Sequence, residues 1–151
     1  ILIDFPDPNA LELSKLYSLQ FYELLRSKLA IDGVFALQSS SPVHANEAFL
    51  CIGRTLSSAV LAAVPYHVKI PPFCEWGWWI GSRDDRRSES ELREAMQNLK
   101  AFSVPTRYLT PELVGASLIF GRGQIDTLET SINTLTRDAV YRYYLEAWQR
   151  R

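Results

Sequence analysis

The sequence predicts an α/β domain in the order β-α-β-α-β-β, followed by a mainly helical stretch. Three observations predict it. Short continuous apolar runs, ending at Asp4 and at Gln38, have the length and composition of buried parallel strands, and Val64 to Ile70 reads as a third strand. Helix-period segments fill the intervals between them. A fourth, aromatic run follows the third after only a few residues, too few for a parallel crossover, so those two strands should form an antiparallel hairpin.

The elements follow in order. Ile1 to Asp4 is an apolar run closed by a carboxylate, as in a central strand whose last residue faces a functional loop. Phe5 to Leu16, with Pro6, Asp7, Pro8 and Asn9, reads as a loop. Ser18 caps a helix from about Leu19 to Leu29, where Phe21, Leu24, Leu25 and Leu29 keep helical spacing. Gly33 closes that connection. Val34 to Gln38 is a second buried strand. Ser39 to Pro42 turns the chain into a helix from about Asn46 to Ala62, with Phe49, Ile52, Leu56 and Val60 along one face. Val64 to Ile70 is the third strand, stopped by Pro71 and Pro72, which cannot donate to a ladder. Glu75 to Ser82, with Trp76, Trp78, Trp79 and Ile80, is the fourth.

Beyond it, Arg83 to Arg87 is a charged surface turn. Ser88 and Glu91 form a capping box for a helix ending near Lys100, and Thr110-Pro111-Glu112 starts another. Thr136 to Arg151 is the last helix, with Val140, Tyr144 and Trp148 recurring every fourth residue. No internal repeat or low-complexity tract is seen.

Composition bounds the function. Among 151 residues, 16 Lys and Arg balance 17 Asp and Glu for a net charge of −1, which argues against a nucleic-acid or membrane-surface binder. With 47% apolar and 22% charged residues the chain is a core-former. Its length fits one domain burying roughly 68–70% of its unfolded surface. Cys51 and Cys74 match no paired-ligand or redox spacing and read as thiols in a reducing compartment. No apolar run approaches the ~20 residues of a membrane span. Because Ile1 already lies in a strand, the sequence is expected to be the C-terminal piece of a longer chain, so any N-terminal targeting or membrane segment would lie outside it.

In open α/β sheets ligands bind beyond the carboxyl ends of the strands. Those ends present Asp4 with Asp7, then Gln38 with Ser39, then the Tyr66–Glu75 hairpin. Asp-Phe-Pro-Asp-Pro holds two carboxylates in a proline-stiffened turn, which suits a cationic ligand, a metal ion, a base beside an anchor, or simply a capped loop. His44 and His67 lie on different segments without ligand spacing, so no metal site is expected. No Gly-x-Ser-x-Gly elbow occurs, and Gly121-Arg122-Gly123 reads as a loop. Trp76, Trp78 and Trp79 read as sheet core before ligand cage.

Ile3-Asp4-Phe5-Pro6-Asp7-Pro8, then Leu16-Tyr17-Ser18 and Phe21-Tyr22, Gly33, Gln38-Ser39, Pro65-Tyr66-His67, and Ile70-Pro71-x-Phe73 before Glu75-Trp76-Gly77 together resemble the C-terminal half of spermidine synthases, the polyamine aminopropyltransferases. The resemblance covers residues 1–82; residues 83–151 carry no assigned family motif and read as a mainly helical C-terminal extension. It implies a Rossmann-like methyltransferase fold that moves an aminopropyl group from decarboxylated S-adenosylmethionine to putrescine, giving spermidine and methylthioadenosine. It implies Asp4 as general base on the attacking amine and Asp7 and Gln38 as diamine contacts. Tyr66 and His67 fall around a substrate-contacting aromatic, and Pro8 and Leu16 face the nucleoside. No metal or redox cofactor is required, and a homodimer is expected. The Asp-x-Pro-Asp-Pro-Asn form resembles a branch with membrane-anchored members, so the parent of this cytoplasmic domain is expected to allow an anchor. The family's glycine-rich loop and ribose-binding acid lie outside these residues, so the isolated chain is expected to be inactive. The alternative reading is a non-catalytic polyamine-binding or structural module.

Overall fold

The computed structural model describes residues 1–71, 74–125 and 129–149. The elements are β1 (Leu2–Ile3), α1 (Leu11–Ser14), a 3-10 turn (Lys15–Tyr17), α2 (Leu19–Lys28), β2 (Val34–Gln38), α3 (Asn46–Ser58), β3 (Leu61–Ile70), β4 (Cys74–Arg83), α4 (Glu89–Gln97), α5 (Pro111–Ala116) and α6 (Ala139–Gln149). The four strands form one sheet in the order β1-β2-β4-β3. The α/β class and the antiparallel hairpin are as expected. A feature beyond the sequence reading is that β4 pairs antiparallel with β2 as well as with β3, so it lies between two strands that run parallel to one another. That insertion puts the carboxyl ends of β1, β2 and β3 on one rim.

Two layers cover the sheet. On one side α2, α3 and α6 bury Tyr17, Tyr22, Phe35, Leu37, Phe49, Ile52, Leu56 and Val140. A smaller cluster of Ala62, Val64, Leu92 and Leu118 joins β3 to α4 and the stretch after α5. Helix and sheet approach closely at Gly53, where an added Cβ would come within 2.2 Å of the Trp79 ring. Phe49, one turn earlier, stacks on the same ring at 5.1 Å. Trp79 is therefore core, as the aromatic cluster predicted. The helix α6 packs against α3, so the C-terminal stretch shares the core of the sheet's helical layer. Among the described residues no helix is long and apolar enough to cross a membrane.

Boundaries differ where one apolar run reads equally well in two geometries. The apolar helical spacing of α3 continues to Ala62, yet the helix stops at Ser58 and β3 already begins at Leu61. The stop is Val60, whose φ of 58° is left-handed. Ala59 still donates its N–H back to Thr55 and Leu56. A β-branched residue at that helix-terminating position costs about 1–2 kcal/mol. Val60→Gly is therefore expected to stabilise the fold, since the side chain is 47% exposed and loses little burial. After the larger unfolded-state entropy of glycine, the gain is about 0.5–1 kcal/mol, or a Tm rise of roughly 1–4 °C by thermal melting.

The Phe5–Leu16 loop contains α1 and runs into the 3-10 turn, and α4 ends at Gln97 rather than near Lys100. At the chain's end, Thr134 bridges Arg137, delaying α6 to Ala139. Pro72, Phe73, Arg150 and Arg151 lie outside the described residues. Both cysteines are free. Burial pushes the Cys51 thiol up to about 12, and it donates to the Ser131 carbonyl at 3.1 Å.

Candidate active site

The site begins where β1 ends. Ile3 is buried, and Asp4 is the first side chain beyond it, exposed at the rim. The following Phe5-Pro6-Asp7-Pro8 turn is tied down from below. Tyr17, fully buried, donates its hydroxyl to the Pro6 carbonyl at 2.9 Å. Phe5 packs edge-on against Tyr17 and Phe21. The Asn9 N–H closes the turn on the Asp7 carbonyl at 2.7 Å, and Pro8 is fully buried. The turn thus holds its two carboxylates on a backbone with few alternatives.

Those carboxylates stand in different surroundings. Asp7 is half-buried and accepts from three neutral donors: Gln38 Nε2 to Oδ1 at 3.3 Å, and Ser40 Oγ and the Tyr144 hydroxyl to Oδ2 at 3.3 and 3.0 Å. Asp4 accepts no hydrogen bond from any described residue. The fields of both are felt at Tyr17, whose phenol is pushed up first by burial, then by Asp7 and then by Asp4. Burial and the Asp7 charge push Tyr144 up to about 12. Both phenols therefore keep their protons near neutrality and serve as donors.

Gln38 is delivered by the last residue of β2, which is paired with Trp78 of β4. Ser40 arrives by a less regular route. Its φ is 66°, a left-handed conformation, and the chain there remains paired to β4, Ser39 N–H donating to the Gly77 carbonyl and Gly77 N–H to the Ser40 carbonyl at 2.8 Å. That inversion turns the Ser40 hydroxyl toward Asp7.

The structure therefore brings Asp7 and Gln38 together, with Asp4 on the same turn. Tyr66 and His67 lie on β3, with Tyr66 level with Gln38 across Trp78 of β4. Tyr66 stacks on Trp78 at 5.7 Å, and burial raises its phenol. His67 has Nδ1 2.6 Å from a Glu75 carboxylate oxygen and Nε2 2.7 Å from the Ile119 carbonyl. Both residues line a cavity of about 1070 Å³ walled by β3, α4 and α5. Leu16 is half-buried and packs against the main core. Among the described residues no group of three or more His, Cys, Asp and Glu is placed to hold a metal ion.

Three members of the site escaped the sequence reading: Tyr17 as a donor, Ser40 and Tyr144. Tyr144 was visible only as part of an apolar helical stripe. The available signal was its hydroxyl, since a tyrosine on a packed face normally finds a polar partner.

Comparison with known proteins gives this arrangement its context. The family model for the spermine/spermidine synthase domain matches residues 1–94. A polyamine aminopropyltransferase of Oceanobacillus iheyensis is 36% identical over 152 residues, covering 99% of this chain and 28% of the relative. One of Shewanella oneidensis is 34% identical, covering 98% of this chain and 25% of the relative. The chain thus spans about a quarter of the length of these relatives. The fold resembles a spermidine synthase solved with the transition-state analogue AdoDATO, with a TM-score of 0.54 and 18% identity over 74% of this chain and 40% of that one. It also resembles the Thermotoga maritima spermidine synthase, with a TM-score of 0.53 and 18% identity over 73% of this chain and 38% of that one. A rim carrying an Asp-x-x-Asp-Pro turn against the glutamine of the next strand is thus seen in a chain that belongs to the spermine/spermidine synthase family.

Proposed function

We propose that this chain supplies the amine-acceptor side of an aminopropyltransferase, transferring the aminopropyl group of decarboxylated S-adenosylmethionine to putrescine. The observation that carries the reading is the inequality of the two carboxylates. Asp7 has given most of its roughly four acceptor positions to neutral donors, whereas Asp4 has given none to a described residue. One is a fixed anion. The other is free to receive a ligand's proton.

Putrescine enters as a dication, its amines titrating near the lysine value of about 10. An ammonium has no lone pair, so the attacking end must first be deprotonated. Asp7 holds the distal ammonium, with Gln38 beside it, and Asp4 takes the proton from the proximal one as water is excluded. The freed amine nitrogen then forms a bond to the propyl carbon beside the sulfonium. The carbon–sulfur bond breaks, its electron pair returns to sulfur, and methylthioadenosine leaves. Fixing the distal end converts the encounter into a near-unimolecular step. Tyr66 and His67 are assigned the far end of the acceptor path, while Pro8, fully buried, and Leu16, packed on the core, shape the nucleoside side from beneath rather than by contact. On this reading residues 1–151 alone do not turn over, because the nucleoside-binding loop that the family resemblance implies is not among them.

The test supplies the full-length gene product with putrescine and decarboxylated S-adenosylmethionine and follows methylthioadenosine and spermidine by mass spectrometry. Stoichiometric formation of both is expected. Diamine binding without either product would replace the enzyme by a polyamine-binding module, and neither binding nor product would overturn the assignment.

A further inference from the structure

We infer that Tyr144, on the C-terminal helix α6, is a positioning residue for the diamine anchor, so that acceptor capture depends on a helix 137 residues along the chain from Asp7. The inference rests on the proposed acceptor role of Asp7 and extends it. Of the three donors on that carboxylate, Tyr144 is the closest, at 3.0 Å against 3.3 Å for Gln38 and Ser40. A carboxylate held on both oxygens cannot rotate to follow a mobile ammonium. It presents one remaining direction, and a short rigid diamine registers against it.

The hydroxyl is itself aimed. Val140, one turn before Tyr144 and on the same helical face, is fully buried against α3, and its N–H donates to Asn133 Oδ1 at 3.2 Å. Asn133 in turn donates from Nδ2 to the Ser14 carbonyl at 2.8 Å, fixing the start of α6 to the end of α1. One turn after Tyr144, Trp148 hydrogen-bonds the Tyr144 side chain, and the two rings lie 6.0 Å apart. An indole N–H can only donate. Tyr144 therefore accepts from Trp148, and its own proton is directed at Asp7.

Tyr144→Phe removes the hydroxyl and keeps the packed ring. In steady-state assays of the full-length gene product it should raise the diamine KM by about 10- to 100-fold, the value of a hydrogen bond to a charged group. The KM for the nucleoside co-substrate should stay at its wild-type value, and the melting temperature should fall by no more than about 2–4 °C, the loss of one half-buried hydrogen bond. Trp148→Phe should shift the diamine KM in the same direction by less. Run beside them, Asp7→Asn and Asp4→Asn separate the two levels of the claim. An unchanged diamine KM in Tyr144→Phe, while Asp7→Asn raises it, overturns the positioning role and leaves the acceptor assignment standing. Equal increases in both KM values with a larger fall in melting temperature make Tyr144 merely structural and also overturn it. If Tyr144→Phe does not fold, an unchanged diamine KM in Trp148→Phe overturns it alone. No effect of either aspartate variant removes the acceptor reading and this inference together.

Discussion

Asp4→Asn is expected to lower kcat for aminopropyl transfer by about 10²- to 10⁴-fold, the usual contribution of a positioned general base. The substitution is nearly isosteric. It removes the negative charge and the basic lone pair, and it puts an amide donor where a proton must be accepted. Because Asp4 is exposed at the rim and bonded to no described residue, the fold loses nothing and the melting temperature should not move. Asp7→Asn should behave differently. Its new amide must face at least one of the donors Gln38, Ser40 or Tyr144, so the penalty falls on diamine KM and on stability. Rate constants measured at saturating diamine, together with a melting curve, check the pair. A kcat for Asp4→Asn equal to wild type would remove Asp4 from the proton path and shift the base assignment elsewhere on the rim.

That contrast also marks how far the sequence alone reaches. The Asp-x-x-Asp-Pro turn and Gln38 were legible together because each stands at the end of an apolar strand, and parallel strands deliver their carboxyl ends to one edge. The hairpin was legible because Ile70 and Glu75 are too close for a crossover. The position of β4 between β2 and β3 was not, since nothing in one strand's composition names its second neighbour. Ser40 was hidden for a local reason: Ser39-Ser40-Ser41 gives no hint that the middle residue takes a left-handed φ. Tyr144 was hidden for a global one. A stripe of Val140, Tyr144 and Trp148 specifies a packed helical face, and periodicity cannot say that one hydroxyl on it spans 137 residues to Asp7. Residues 83–151 showed no motif to the sequence reading, yet the relatives align along them and they supply the nearest donor to the anchor among the described residues.

The dependence of the site on that distant segment leads to the second large effect, at Asn133. The residue is completely buried, and every polar group it owns is used. Its side chain donates to the Ser14 carbonyl at 2.8 Å and accepts from Val140 N–H at 3.2 Å. Its backbone donates to Thr55 Oγ1 at 3.0 Å and accepts from Leu19 N–H at 2.8 Å. Four elements, α1, α2, α3 and α6, thus meet at one amide. Asn133→Ala deletes the side-chain bonds and strands a buried carbonyl and a buried N–H, each costing about 1–3 kcal/mol. A total loss of about 3 kcal/mol is expected, a fall in Tm of roughly 6–12 °C for a domain of this size. Asn133→Asp should be no better, because it sets a carboxylate oxygen against the Ser14 carbonyl. Leucine fills the space but satisfies neither group. Since α6 then loses its fixed start, the diamine KM should rise together with a large loss of stability, unlike the Tyr144→Phe pattern, where KM moves with little loss. Coincidence of the Asn133→Ala and wild-type melting curves would mean that α6 is held by its apolar face, and that Tyr144 reaches Asp7 without this amide.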